Sequence, residues 1–213
     1  MKAPPVDHFG LLAPLYERVI RPPDAGQLLR LSAPRPGDRL LDVGGGTGRG
    51  SRAFRGHAEV LILDPSAGML RQARRKGGLG VCQGSAERLP FADGAFERVL
   101  AVDSLHHFRD QQQAARELLR VLAPGGRLVI EEPDIRRLVV KLVALGETLT
   151  LMRSRFLPPA AITRLFAGPG RRVTLHEDAS TNVWVVVEKL ETPLASSGLG
   201  SKLLTYDSPE KAS

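Results

Sequence analysis

Two acids, a run of glycines and a pair of histidines are the side chains best placed for chemistry, because each stands at or beside the end of a short apolar run. Asp42 lies within Leu40-Leu41-Asp42-Val43, two residues ahead of Gly44-Gly45-Gly46-Thr47-Gly48. Asp64 closes Val60-Leu61-Ile62-Leu63, and His106-His107 follow the run Phe96–Val102. A glycine loop lets backbone approach a ligand closely, and a helix starting after it presents unpaired N–H groups. A dinucleotide loop wants G-x-G-x-x-G, but the sixth place counted from Gly44 is Arg49, and no Gly-Lys-Ser/Thr follows. What remains is Gly44-x-Gly46-x-Gly48 with a carboxylate beside it. A buried carboxylate there repels a diphosphate and suits a cation. Asp64 fits an acid that accepts both hydroxyls of a ribose, with helix capping as the plainer alternative. S-adenosylmethionine has both features, a ribose and an end carrying a sulfonium and an ammonium. The imidazoles titrate near neutral pH and suit proton transfer; histidines that merely shape a loop are the alternative.

These residues need a scaffold, and the pattern supplies one. Arg39–Val43, Val60–Asp64, Gly80–Gln83, Phe96–Val102 and Arg127–Ile130 read as buried strands. Ser66 offers an N-cap to a helix carrying Met69, Leu70 and Ala73. Asp110 to Leu122 reads as a helix stopped by Pro124-Gly125-Gly126. Such alternation predicts βαβ units, hence a parallel sheet with helices on both faces. The gap between Arg172–His176 and Asn182–Glu188 is too short for a crossover, so these two runs pair antiparallel. The expected fold is α/β and Rossmann-like: a seven-stranded, mostly parallel sheet with an antiparallel final pair. Residues 1–36 read as an N-terminal helical lid, 37–190 as the cofactor-binding domain with a substrate-lid insertion at 133–168, and 191–213 as a disordered tail.

Composition narrows the partners. The 30 Lys+Arg against 23 Asp+Glu give +7, which raises nucleic acid as a partner. The arginines are scattered and aromatics are only 5%, too few for a base-stacking platform, so a solvated basic surface is the first reading and nucleic acid the lesser one. Cys82 stands alone, which excludes an internal disulfide and any zinc site of several thiolates. Leu138 to Leu145 falls far short of the ~20 residues of a membrane span, and Met1-Lys2-Ala3-Pro4-Pro5 lacks a signal core. A cytoplasmic location is expected.

With these motifs in order, residues from about Phe9 to Lys189 resemble the class I S-adenosylmethionine-dependent methyltransferases, in the broad ubiquinone/menaquinone-biosynthesis-like group. Leu41 to Gly48 looks like the family's first motif. The resemblance implies that Asp42, Gly44, Gly46 and Gly48 form the loop, that Asp64 takes the ribose diol and that Met69 packs on adenine. Gly84-Ser85-Ala86-Glu87 is similar to the adenine-edge segment, where the family often has Asp at the place of Ser85. Asp103 is implied to line the cofactor pocket, and Tyr16 to cover it from the lid. His106 and His107 stand where the family's acceptor meets the methyl group, with His8 a further candidate.

The acceptor is read as a small, apolar or aromatic molecule methylated on O, C or N; no metal is expected. Ile135, Leu138, Val139, Leu142, Leu145, Leu149 and Met152 recur at helical spacing and could wall its cavity, with Arg136, Arg137 and Lys141 near an anionic bilayer. Asp103-Ser104-Leu105 replaces the Arg-Asn-Val signature of the quinone-type members. Glu131-Glu132 is read as facing the pocket mouth or as solvated. The alternatives are an RNA methyltransferase and a non-catalytic cofactor-binding protein of the same fold.

Overall fold

The computed structural model describes residues 23–137, 140–141, 154–177 and 181–191. Seven strands run β1 (Arg39–Val43), β2 (Glu59–Asp64), β3 (Gly80–Gln83), β4 (Phe96–Val102), β5 (Leu122–Pro133), β6 (Arg171–Glu177) and β7 (Asn182–Lys189). They form one sheet of order β3-β2-β1-β4-β5-β7-β6. β1 to β5 are mutually parallel, while β7 runs antiparallel to β5 and β6 antiparallel to β7. The expected α/β sheet with its antiparallel closing pair is therefore the observed one. The helices in the described residues are α1 (Ala25–Ser32), α2 (Ala67–Arg75), α3 (Gln111–Val121) and α4 (Pro159–Phe166). None of them is long and apolar enough to cross a membrane.

The strand period of two sorts the core. Leu40, Leu100, Val129, Trp184 and Val186 point to one face, where Leu28 and Leu31 of α1 pack with Phe54. On that face α2 lays Leu70 and Ala73 on Ile62. Leu41, Val99, Leu128, Ile130 and Val185 point the other way, toward Ala114, Leu118 and Val121 of α3 and Ile162 and Phe166 of α4. Helices thus cover both faces, as the pattern predicts. Side-chain caps fix three starts: Asp24 accepts from Gln27 N–H, Ser66 from Met69 N–H and Asp110 from Gln113 N–H.

Two local expectations are corrected. Pro124-Gly125-Gly126 does not stop a helix; α3 ends at Val121, and the three residues lie inside β5. There they bulge out, since Phe96 pairs with Leu122 but Arg98 already pairs with Arg127. After β1 no α-helix follows, only a 3₁₀ turn at Ser51–Phe54. Gly50 and Gly56 bracket too few residues for a stable α-helix.

Many basic side chains are engaged with backbone carbonyls at element ends. Arg98 donates to Ala33 O beyond α1, Arg55 to Lys76 O and Gly77 O beyond α2, Lys189 to Leu119 O and Leu122 O, and Arg171 to Phe166 O. Cations favour helix C-termini, which offer unpaired carbonyls. Part of the positive excess is therefore internal scaffolding rather than a stripe for a polyanion.

Candidate functional site

The sheet order places β2 and β4 on opposite sides of β1, so the chain's direction of winding reverses there. Ligands of open α/β sheets bind beyond the strand ends at such a point. The glycine loop, the end of β2 and the turn after β4 meet at this spot.

The glycines divide by purpose. A Cβ on Gly44 would lie 2.7 Å from Ser104 Cβ, one on Gly45 2.5 Å from Asp42 Oδ2, and one on Gly48 2.8 Å from Ile62 Cδ1. Those three glycines serve the protein's own packing, and Gly44 and Gly48 also have positive φ. Gly46, also at positive φ, is different: a Cβ there would meet nothing nearer than Met69 Sδ at 3.9 Å and Asp64 Oδ2 at 4.0 Å. Gly46 thus leaves open space between the residues expected to take ribose and adenine. From behind, Lys76 Nζ donates to Thr47 O at 2.7 Å and steadies the loop.

Asp64 accepts from Gly46 N–H through Oδ2 (3.0 Å) and from Ser66 N–H through Oδ1 (2.8 Å). It ties the loop to the start of α2. Asp42 is 1% exposed; its Oδ2 accepts from the Ser51 hydroxyl, while its buried Oδ1 has no partner among the described residues. Burial pushes its carboxyl up to about 6, Ser51 opposes this, Asp64 adds to it and Arg49 opposes it. An orphaned, buried acceptor beside a glycine loop, with no helix N-terminus behind it, fits a cationic group and disfavours a diphosphate.

Ser85 donates to the Glu87 carboxylate and accepts from Glu87 N–H, and Ala86 is buried in the core. The hydroxyl expected at the adenine edge is thus already engaged locally, though its oxygen has further acceptor capacity. Asp103 takes φ of 51°, a left-handed conformation that Asp adopts more readily than most residues, and pairs with Arg49 at 3.8 Å. Ser104 is the N-cap residue of the 3₁₀ turn that follows. Tyr16 and His8 lie outside the described residues, as do positions 138, 139 and 142 to 152 of the apolar stripe and the tail beyond 191. Arg136 and Arg137, expected at a bilayer, both pair with Asp134, and Arg136 also with Glu177.

The two histidines differ in environment. His106 is buried, with Nδ1 2.7 Å from Glu132 Oε2 and Phe156 stacked on it at 4.3 Å. His107 Nδ1 lies 3.1 Å from Ser154 Oγ. Burial, with His106 adding, pushes the His107 pKa down to about 3 and keeps that ring neutral.

The pair Glu131-Glu132 is buried on both sides, which corrects the solvated reading. Strand alternation turns them to opposite faces. Glu131 accepts from Asn182 Nδ2 at 2.6 Å, and its buried Oε2 has no partner among the described residues. Burial lifts its carboxyl to about 7, opposed by Asn182, with Asp103 and Glu132 raising it and Arg49 lowering it. Glu132 accepts from Ser104 N–H and Leu105 N–H and faces His106. A signal for both was in the sequence: two acids prolonging the apolar run Leu128-Val129-Ile130 extend a strand.

Known proteins resemble this chain in sequence over its first five strands and in fold more widely. Residues 41–130 match the family model described as "Methyltransferase domain". The ubiquinone/menaquinone biosynthesis C-methyltransferase UbiE of Pseudomonas paraeruginosa is 38% identical over 115 residues, 49% of this chain and 45% of that protein. The demethylmenaquinone methyltransferase of Renibacterium salmoninarum is 40% identical over 99 residues, 46% of this chain and 42% of its own. The match thus spans less than half the length of these curated relatives. Among solved structures, a chain of the complex between the Haloferax volcanii Trm112 methyltransferase activator and a methyltransferase superposes with a TM-score of 0.73 at 18% identity, covering 87% of this chain and 99% of that one. The 4+2 cyclase SpnF superposes with a TM-score of 0.66 at 19% identity, covering 79% and 81%. Both likenesses concern the fold.

Proposed function

We propose, from the premise that residues 41–130 form a methyltransferase domain of the class I, S-adenosylmethionine-dependent kind, that this protein transfers a methyl group to a small apolar or aromatic acceptor. The observation that carries the reading is the crevice at the β1–β4 reversal, where Gly46 opens onto Asp64 and Met69 and a buried Asp42 oxygen has no partner among the described residues. In this reading Asp64, at the end of β2 beside the glycine loop, accepts the ribose hydroxyls through its carboxylate. Met69 lies against the adenine, Ser85 and Ala86 border its edge, and Asp42 and Asp103 favour the positively charged end. S-adenosylmethionine supplies the electrophilic methyl. The protein's task is to hold the acceptor in line with the S–CH3 bond at near-attack distance. The names of the curated relatives point to a quinone-type ring as acceptor, and the apolar stripe after β5 is the wall proposed for it. Peripheral contact with an anionic bilayer belongs to the same reading, through Lys141 and the exposed parts of Arg136 and Arg137.

Calorimetry with S-adenosylmethionine and S-adenosylhomocysteine tests the assignment. Micromolar binding of both is expected, about −8 kcal/mol. Asp64→Ala should weaken it at least tenfold, about 1.4 kcal/mol. Unchanged affinity in that variant, or tighter binding of a dinucleotide, overturns the placement.

A further inference from the structure

We propose that Glu131 is the residue by which the crevice tells the charged cofactor from its neutral demethylated product. The inference rests on the methyltransferase reading above and gives that site a selectivity. In the sheet Glu131 stands between Val102 of β4 and Trp184 of β7. Its carbonyl accepts from Asp103 N–H at 2.8 Å, which ties it to a residue proposed to favour the cofactor's charged end. Asp103 pairs with Arg49 at 3.8 Å, and the same guanidinium acts on Asp42 and on Glu131. Three carboxyls at this end of the sheet thus lean on one arginine beside the glycine loop. Glu131 itself is 3% exposed; Oε1 accepts from Asn182 Nδ2 at 2.6 Å, and Oε2 has no partner among the described residues. Bracing β5 against β7 needs only the first oxygen, and a glutamine would serve as well. The second is a buried acceptor whose charge no hydrogen bond compensates among the described residues, so a nearby cation stabilises it.

The cofactor brings that cation. Its sulfonium becomes a neutral thioether once the methyl is transferred, so a negative charge here strengthens binding of the cofactor and not of the product. At an effective dielectric of ~20, unit charges attract by a factor of ten or more in affinity even at about 10 Å, so Glu131 need not touch the ligand. Burial holds the Glu131 carboxyl at about 7, opposed by Asn182, with Asp103 and Glu132 raising it and Arg49 lowering it. The charge is therefore present above that pH, and cofactor binding below it releases a proton. The other charged groups on the elements around it are His106, which faces Glu132, and Asp24 and Arg30 of the α1 region. Asp24 caps α1, and Arg30 donates to Gln27 Oε1. Beyond β5, Arg136 and Arg137 are paired with Asp134. The remaining charges of β4, β5 and β7 stand at the far end of the sheet: Glu97 and Arg98, Arg127, and Glu188 and Lys189.

The test compares the full chain with E131Q, in which the amide keeps an acceptor for Asn182 and loses the charge. Calorimetry with S-adenosylmethionine at about pH 8.5 should show about tenfold weaker binding by E131Q, and at about pH 5.5 affinities within about twofold of each other. S-adenosylhomocysteine should bind both proteins alike at either pH. Near pH 7, runs in buffers of different ionisation enthalpy should count about 0.4 more proton released per cofactor by the wild type than by E131Q. The ligand's own titration and that of Asp42 are common to both proteins and cancel in this difference. Trp184, the only tryptophan of the chain, lies opposite Glu131 on the same face and reports its charge by fluorescence. Wild-type emission should change with a midpoint near pH 7, about one unit lower with S-adenosylmethionine bound and unmoved by the product, and E131Q should lack the transition. Equal cofactor affinity of the two proteins at the higher pH, an equal loss for cofactor and product in E131Q, or an emission midpoint that the cofactor leaves in place each overturns the inference. If E131Q fails to fold, the wild-type emission midpoint with cofactor against product decides. Failure of the wild type to bind S-adenosylmethionine strikes the underlying reading instead.

Discussion

Asp42→Asn should make the protein more stable and less able to bind its cofactor, and the structure gives the size. Burial raises the Asp42 carboxyl from 3.8 to about 6. The native state therefore binds this proton more tightly than the unfolded chain does. Stability present at low pH is lost as pH rises from about 4 to about 6 and stays lost above. At about 1.4 kcal/mol per pKa unit, ionised Asp42 costs the fold about 3 kcal/mol. Asparagine carries no charge but weakens the acceptor for Ser51 by about 1 kcal/mol. The net gain is about 2 kcal/mol at pH 8, which raises Tm by about 4–8 °C for a chain of this size. Thermal melts of the cofactor-free protein between pH 4 and pH 8 are the assay. Glu131 also titrates in this range, with its carboxyl lifted to about 7, but it is present in both proteins and cancels in the difference. Parallel curves for wild type and variant would refute the burial argument. Cofactor affinity should drop at least tenfold alongside the gain, about 1.4 kcal/mol, the exchange of stability for function expected at a strained site.

Gly44→Ala and Gly46→Ala should separate in effect. Ala at 44 combines positive φ with a Cβ 2.7 Å from Ser104 and should cost about 3 kcal/mol of stability by denaturant unfolding. Ala at 46 meets no close neighbour, so its stability loss should stay near 1 kcal/mol while cofactor affinity falls by calorimetry. Arg98→Ala leaves buried Asp38, its partner at 3.1 Å, without a cation and uncaps Ala33 O; a loss of about 3 kcal/mol is expected in urea melts. Sedimentation with vesicles tests the membrane contact: binding to anionic but not neutral lipid, reduced by salt, is expected, and no lipid dependence removes that part of the reading.

The sequence made the sheet legible because β1, β2 and β4 each carry a short apolar stretch followed by glycine or a polar residue at the crevice. Asp42 and Asp64 could be placed from the same runs, since a strand end fixes where its last side chain lies. What escaped depended on partners far along the chain. Glu132 accepts from Ser104 and Leu105, twenty-eight and twenty-seven residues away, and Glu131 from Asn182, fifty-one away. Nothing local announces such pairings. The helix expected after the glycine loop is reduced to a 3₁₀ turn for a local reason, since few residues separate Gly50 from Gly56. The spread of arginines gave no hint that Arg55, Arg98 and Arg171 serve carbonyls at element ends.

The tight seat of Gly44 against Ser104 reaches beyond the loop itself. The turn that carries His106 and the loop beneath it are in contact, so anything larger than serine at 104 would push on both at once. Attempts to broaden acceptor choice by enlarging this turn should therefore forfeit grip on the nucleoside before they gain a new substrate. Diversification is better aimed at Ser154 and Phe156, which touch the histidines from the opposite side.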